Sequence, residues 1–158
     1  MMTRLWLVML LTAGFAIAST SNSLAQLQAM PKSVQDQIVK LAAAPGTAES
    51  CVITSLFPAY YGPLPGASGE LAVGLLDLDP ENCGGVAPPQ TSVVSYLVTN
   101  SHYRKITLPS ELAAMQVGKI LAVMPQQGGF RITVLFRGPH DPMCCANQKT
   151  SLLVKISE

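Results

Sequence analysis

The sequence predicts an α+β domain, with one N-terminal helix packed on a largely antiparallel sheet of about six to seven strands, stapled by disulfides. Three observations predict it. An amphipathic stripe, Val34, Ile38 and Leu41, recurs at helical spacing near the start and stops at Pro45-Gly46. After it come β-rich segments joined by hairpin-length connections, too short for several helical crossovers. Four cysteines follow an N-terminal segment built like an export signal.

That segment opens the chain. Arg4 supplies a short basic region, and Leu5 to Ala18 is an apolar run bounded by the polar residues Ser19 to Ser23. A spanning helix needs about twenty apolar residues, so the run fits a secretory signal better than a membrane anchor. Ser23-Leu24-Ala25 places small residues where a signal peptidase reads. Cleavage is expected after Ala25, with Ala18 as the second choice. No cysteine follows the apolar run closely enough for N-terminal lipidation. Residues 26–32 then form a polar leader, and 33–158 one domain.

Ser33-Val34-Gln35-Asp36 has the form of a capping box with Asp for Glu, which predicts a helix over 34–43. Cys51 to Phe57 reads as a strand ended by Pro58. Pro58 to Gly69, rich in Pro and Gly, reads as a loop. Glu70 to Leu78 is a strand with Leu71, Val73 and Leu75 on one face and Leu76 and Leu78 on the other, so both faces are partly covered. Asp79 to Gln90 is a second loop. Ser92–Thr99 and Tyr103–Leu108 are strands around an Asn100-Ser101 turn, and Ser110 caps a brief helical turn through Met115. Lys119–Met124 and Phe130–Phe136 form a hairpin across Pro125 to Gly129. Its second arm alternates cleanly: Phe130, Ile132, Val134 and Phe136 against Arg131, Thr133, Leu135 and Arg137. Thr150 to Ile156 is the last strand.

Loss of Arg4 with the signal leaves as many basic residues as the nine acidic ones. A near-neutral chain with no run of like charge argues against nucleic acid or an anionic membrane as partner, and after signal cleavage no membrane insertion is expected. The composition is that of a folded domain.

All four cysteines, Cys51, Cys83, Cys144 and Cys145, fall after the signal. Adjacent Cα atoms are about 3.8 Å apart, whereas disulfides usually span about 4.4–6.8 Å, so a Cys144–Cys145 bond is strained. In extended chain the two side chains point opposite ways. The simplest framework therefore links Cys51 to one of the pair and Cys83 to the other. The alternative is Cys51–Cys83 with a vicinal Cys144–Cys145 bond. Closing a loop of roughly ninety residues stabilises a fold by about 4–5 kcal/mol on chain-entropy grounds. A metal site from His140, Cys144 and Cys145 lacks the second Cys/His pair of a zinc site, and no C-x-x-C supports a redox role.

Other chemistry is sparse. Asp77, Asp79 and Glu81 alternate as in a calcium loop, but Asn82 stands where the turn glycine belongs and Pro88 where the bidentate Glu belongs. His140 adjoins Asp141, yet adjacent residues rarely form a His–carboxylate base pair, and His102 lies in a turn. Ser68 is Gly-flanked without the G-x-S-x-G elbow. Tyr60 and Tyr61 are the candidate binding residues: in a Pro/Gly loop they make a rigid contact surface, and otherwise they plug the sheet core.

Asp141-Pro142-Met143-Cys144-Cys145, after an alternating strand and before a final one, resembles the D-P-x-C-C ending of LppP/LprE-type exported bacterial proteins. The resemblance extends over roughly residues 47–156, with Ala146-Asn147 where those proteins commonly continue Pro-Ser. It implies an exported bacterial protein with oxidised cysteines and carries no catalytic residue. The expected function is that of a small periplasmic or secreted domain, structural or binding, without catalysis, cofactor or metal. Its partner would be an envelope protein or an extracellular ligand, met through the Pro58–Gly69 and Asp79–Gln90 loops. The alternative is a secreted hydrolase or an enzyme inhibitor acting through those loops.

Overall fold

A computed structural model of the chain describes residues 29–43, 53–78, 90–141 and 145–156. The expected signal, residues 26–28 of the leader, residues 79–89, Cys51, Cys83 and Cys144 lie outside the described residues. The order is α1 (Lys32–Ala42), β1 (Ile53–Pro63), β2 (Glu70–Leu78), β3 (Gln90–Thr99), β4 (His102–Lys105), α2 (Ser110–Ala114), β5 (Gln116–Gln126), β6 (Gly129–Arg137) and β7 (Gln148–Lys155). All strand pairs are antiparallel.

The strands form two sheets, where one was expected: β1-β2-β3-β4 and β5-β6-β7. The reason lies in β2. Leu71, Val73 and Leu75 bury one of its faces and Ala72, Leu76 and Leu78 the other. A strand apolar on both sides needs two covers. The three-stranded sheet is one: its Phe130, Ile132, Val134 and Val154 share a core with Leu71, Val73, Val93 and Leu97. Helix α1 is the other, with Val34, Ile38 and Ala42 set against Ala72, Leu76, Val94 and Tyr96. The result is three layers: helix, four-stranded sheet, three-stranded sheet.

Helix α1 forms where its stripe predicts, but not through the expected cap. Pro31 occupies the N-cap position, and its carbonyl accepts from the Val34 and Gln35 N–H groups at 3.0 and 3.1 Å. Ser33 is already inside the helix, so its hydroxyl is misplaced to cap it. Asp36 pairs instead with Lys32 one turn back, an exposed pair worth little. Ser110 likewise does not cap α2; Pro109 precedes it, and the Pro109 carbonyl accepts from Ala113 N–H at 3.0 Å.

Pro58 does not end β1, which runs to Pro63. The expected loop shrinks to Leu64–Gly69, with Gly66 and Gly69 at positive φ. β1 pairs only with β2, and on an edge strand a proline's missing N–H can face outward at no cost. A bulge between Pro58 and Tyr60 resets the alternation. β4 stops at Lys105, three residues short of the expected end at Leu108, because Ile106 dives into the core after donating its N–H to the Ser95 carbonyl.

Both arms of the hairpin are longer than the sequence suggests, and its turn is only Gln127-Gly128, with Gly128 at φ 74°. Phe130, Ile132 and Val134 are buried as their alternation requires, while Phe136 at the sheet's end is half-buried. Gly129 follows the turn, and any Cβ there would lie 2.1 Å from the Val154 carbonyl oxygen. Asn100 and Ser101 both take positive φ, the geometry of a tight hairpin turn.

Candidate binding surface

The sequence-predicted residues are dispersed. Tyr60 and Tyr61 are 6% and 7% exposed and sit in strand β1, not on a loop. As neighbours in a strand they point to opposite faces, and the bulge before them sets which: Tyr60 joins the core between the sheets and Tyr61 the core under α1. The Tyr60 hydroxyl donates to the Pro63 carbonyl at 3.3 Å, and burial raises its pKa. The Tyr61 hydroxyl donates to the Glu70 carboxylate. Burial first, then that hydrogen bond and the nearby negative charge, push its pKa up to about 12. Both tyrosines plug the core.

His102 is exposed at the start of β4, paired in register with Thr99. His140 is exposed in the turn after β6. Beside it the Asp141 carboxylate accepts from the Gly138 backbone N–H at 2.8 Å, so its hydrogen bond serves the turn. Ser68 is exposed, and its carbonyl accepts from the Thr99 hydroxyl at 2.8 Å. Asp77 lies half-buried in β2 opposite Thr91, and the remaining residues of the calcium-like run lie outside the described residues. Among the described residues, no group of three His, Cys, Asp or Glu side chains could hold a metal ion. Cys145, the cysteine among them, is half-buried and is not a free thiol.

A recess of about 520 Å³ opens between β3 and α2, lined by Val93, Ile106, Leu108 and Leu112, with Lys105 its charged group. It gathers no histidine, acid or cysteine.

The unusual surface is the outer face of the three-stranded sheet. The four-stranded sheet is covered on both sides. Among the described residues no element covers the outer side of β5-β6-β7. Register fixes what stands there. With Phe130, Ile132 and Val134 turned inward, Arg131, Thr133, Leu135 and Arg137 of β6 point outward. Their partners form cross-strand rows: Met124–Arg131–Leu153, Ala122–Thr133–Ser151 and Lys119–Leu135–Lys149, with Lys155 beyond one end. The Thr133 and Ser151 hydroxyls hydrogen-bond at 2.6 Å in the middle of the face.

Five cations thus share one face: Lys119, Arg131, Arg137, Lys149 and Lys155. The three strands contain no acid. None of the five is ion-paired with a carboxylate among the described residues. Strand spacing makes the face roughly 10 Å wide and 25 Å long. Of the described acids, Glu70 stands on the α1 side of β2, where its carboxylate accepts from Tyr61, whereas Asp77 shares a recess with Lys119 and Asp141 lies in the turn that follows Arg137. The sequence signal for the cationic face was present: Arg131 and Arg137, and Lys149 and Lys155, each stand six apart, hence on the same side of their strands.

No family model matches the chain, and no curated protein or solved structure matches it significantly.

Proposed function

We propose that the chain is an exported, disulfide-stapled binding domain of the bacterial cell envelope, periplasmic or secreted, without catalysis of its own. It engages a negatively charged partner through the outer face of β5-β6-β7. The observation that carries this reading is the segregation of charge: five cations, with no acid in the three strands, on a sheet face that no element covers among the described residues. Clustered cations on a rigid support raise the local concentration of an anionic partner and steer its approach. The oxidised framework is supported by Cys145, which is not a free thiol. The D-P-x-C-C resemblance supports the compartment.

The test is retention on an immobilised polyanion such as heparin. The mature protein should be retained at 50 mM salt and released well below 1 M, where the screening length falls to about 3 Å. Arg131→Glu with Lys149→Glu should abolish retention. A protein that flows through at low salt, or a double variant retained like the parent, would refute the cationic face as the binding surface.

A further inference from the structure

We infer that the anionic partner of this face is a phospholipid surface rich in acidic headgroups, on which the domain lies without insertion. The inference rests on the binding role proposed above and names its ligand. Three features of the face select lipid among polyanions. Large aliphatic side chains stand among the cations: Met124 is 54% exposed and Leu153 37%, both in the row of Arg131. Leu121, at the irregularity of β5, is 41% exposed beside them.

No aromatic side chain points outward from these strands. Phe130 faces the core, and Phe136 lies on the same side of β6. Binders of single-stranded nucleic acid stack bases on aromatic rings, and this face has no ring to offer. Third, pairing with the same face of a second copy is excluded, because the three strands have no acid to meet its cations. What remains complementary is a plane of anionic headgroups above an apolar layer. Cations lie on the phosphates while Met124 and Leu153 reach the acyl boundary. The backbone that carries the cations and aliphatics is hydrogen-bonded into three antiparallel strands, so docking need not order the main chain.

The near-neutral sequence, read as a total, argues against such a partner. The fold separates much of what the total averages: β5, β6 and β7 bring basic residues from positions 119 to 155 onto one side without an acid in those strands, and of the described acids Asp77, in a recess shared with Lys119, and Asp141, bound to the Gly138 N–H, lie beside them.

The experiment is flotation of the purified mature protein with vesicles of phosphatidylcholine containing 30% phosphatidylglycerol, and with phosphatidylcholine alone, at 50 mM salt. Binding is expected to the first and not to the second. Each cation removed should weaken it about fivefold, so Lys119→Gln, Arg131→Gln and Lys149→Gln together should weaken it on the order of a hundredfold. Met124→Ser with Leu153→Ser should weaken vesicle binding while leaving heparin retention unchanged. All five positions are exposed, so melting temperatures should match the parent's. Should a combined variant melt early, the single variants Arg131→Gln and Lys149→Gln are measured in its place, each expected to lose about fivefold.

Heparin retention without vesicle binding would overturn the lipid assignment and leave a soluble polyanion or acidic protein as partner. Vesicle binding indifferent to Met124 and Leu153 would overturn it as well. Failure on both supports would remove the binding role itself.

Discussion

Ile38→Ala tests whether α1 is the third layer of the fold or merely a neighbour of it. Ile38 is 1% exposed at the middle of the helix, between Val34 and Ala42 on the buried stripe. The substitution deletes three carbons. At about 0.8 kcal/mol per buried methylene, transfer alone costs about 2.4 kcal/mol. A cavity left open adds about 24 cal/mol per Å³, so ~80 Å³ of unrelaxed space adds up to about 2 kcal/mol. Alanine's higher helix propensity offsets at most about 0.5 kcal/mol. The net loss is about 2–4 kcal/mol, a large share of the 5–15 kcal/mol typical of a domain. Urea denaturation of the oxidised protein measures it through the midpoint at constant slope. Lys40→Ala, exposed on the same helix, is the control and should stay within about 0.5 kcal/mol. A loss below about 1 kcal/mol for Ile38→Ala would show that the helix does not seat on the sheet. The two-cover explanation of β2 would then fail.

Tyr61 predicts a dependence on alkaline pH. Its folded pKa stands near 12 against 10 in the unfolded chain, so between those values the folded state holds the proton more tightly. The associated stability is complete below pH 10 and is lost as pH rises toward 12. Denaturation midpoints at pH 9 and 11 should differ, and Tyr61→Phe should narrow the difference; an unchanged difference would refute the assignment to Tyr61. The cysteines make a prediction of their own. The mature protein, unfolded in denaturant without reductant, should yield no thiol to a colorimetric titration. Reduction should lower its stability by about 2–5 kcal/mol. Four reactive thiols in a folded, stable protein would remove the oxidised framework from the proposal.

Much of the fold was legible because local pattern and burial agree. Val34 and Ile38 announce α1, with Ala42 rather than the expected Leu41 as the next buried residue, and the alternation from Phe130 to Val134 announces the inward face of β6. Even the three layers were implicit in β2, whose two apolar faces demand two covers; the second cover is the chain's own hairpin, a long-range pairing that spacing does not encode. Pro58 misled because a proline stops a central strand but not an edge strand, and edge position is a property of the assembled sheet. The loop expected around Tyr60 and Tyr61 failed for the same reason, while their alternative place in the core held; one bulge decides which core each enters. The candidate face was harder still. Its cations are spaced along three strands, and composition reports only their cancellation by acids outside those strands.

The strand irregularities bear on how this domain behaves in company. β1 carries Pro58 and Pro63, β5 carries Pro125 and two register shifts, and β4 is four residues long. None of these borders offers a neighbour a long, even row of hydrogen-bonding groups. That leaves β7 as the regular border, and Lys149 and Lys155 near its two ends confront any identical strand zipping on head to tail with like charge. Among the described strands, crowded copies therefore repel one another at the border best suited to start fibre growth.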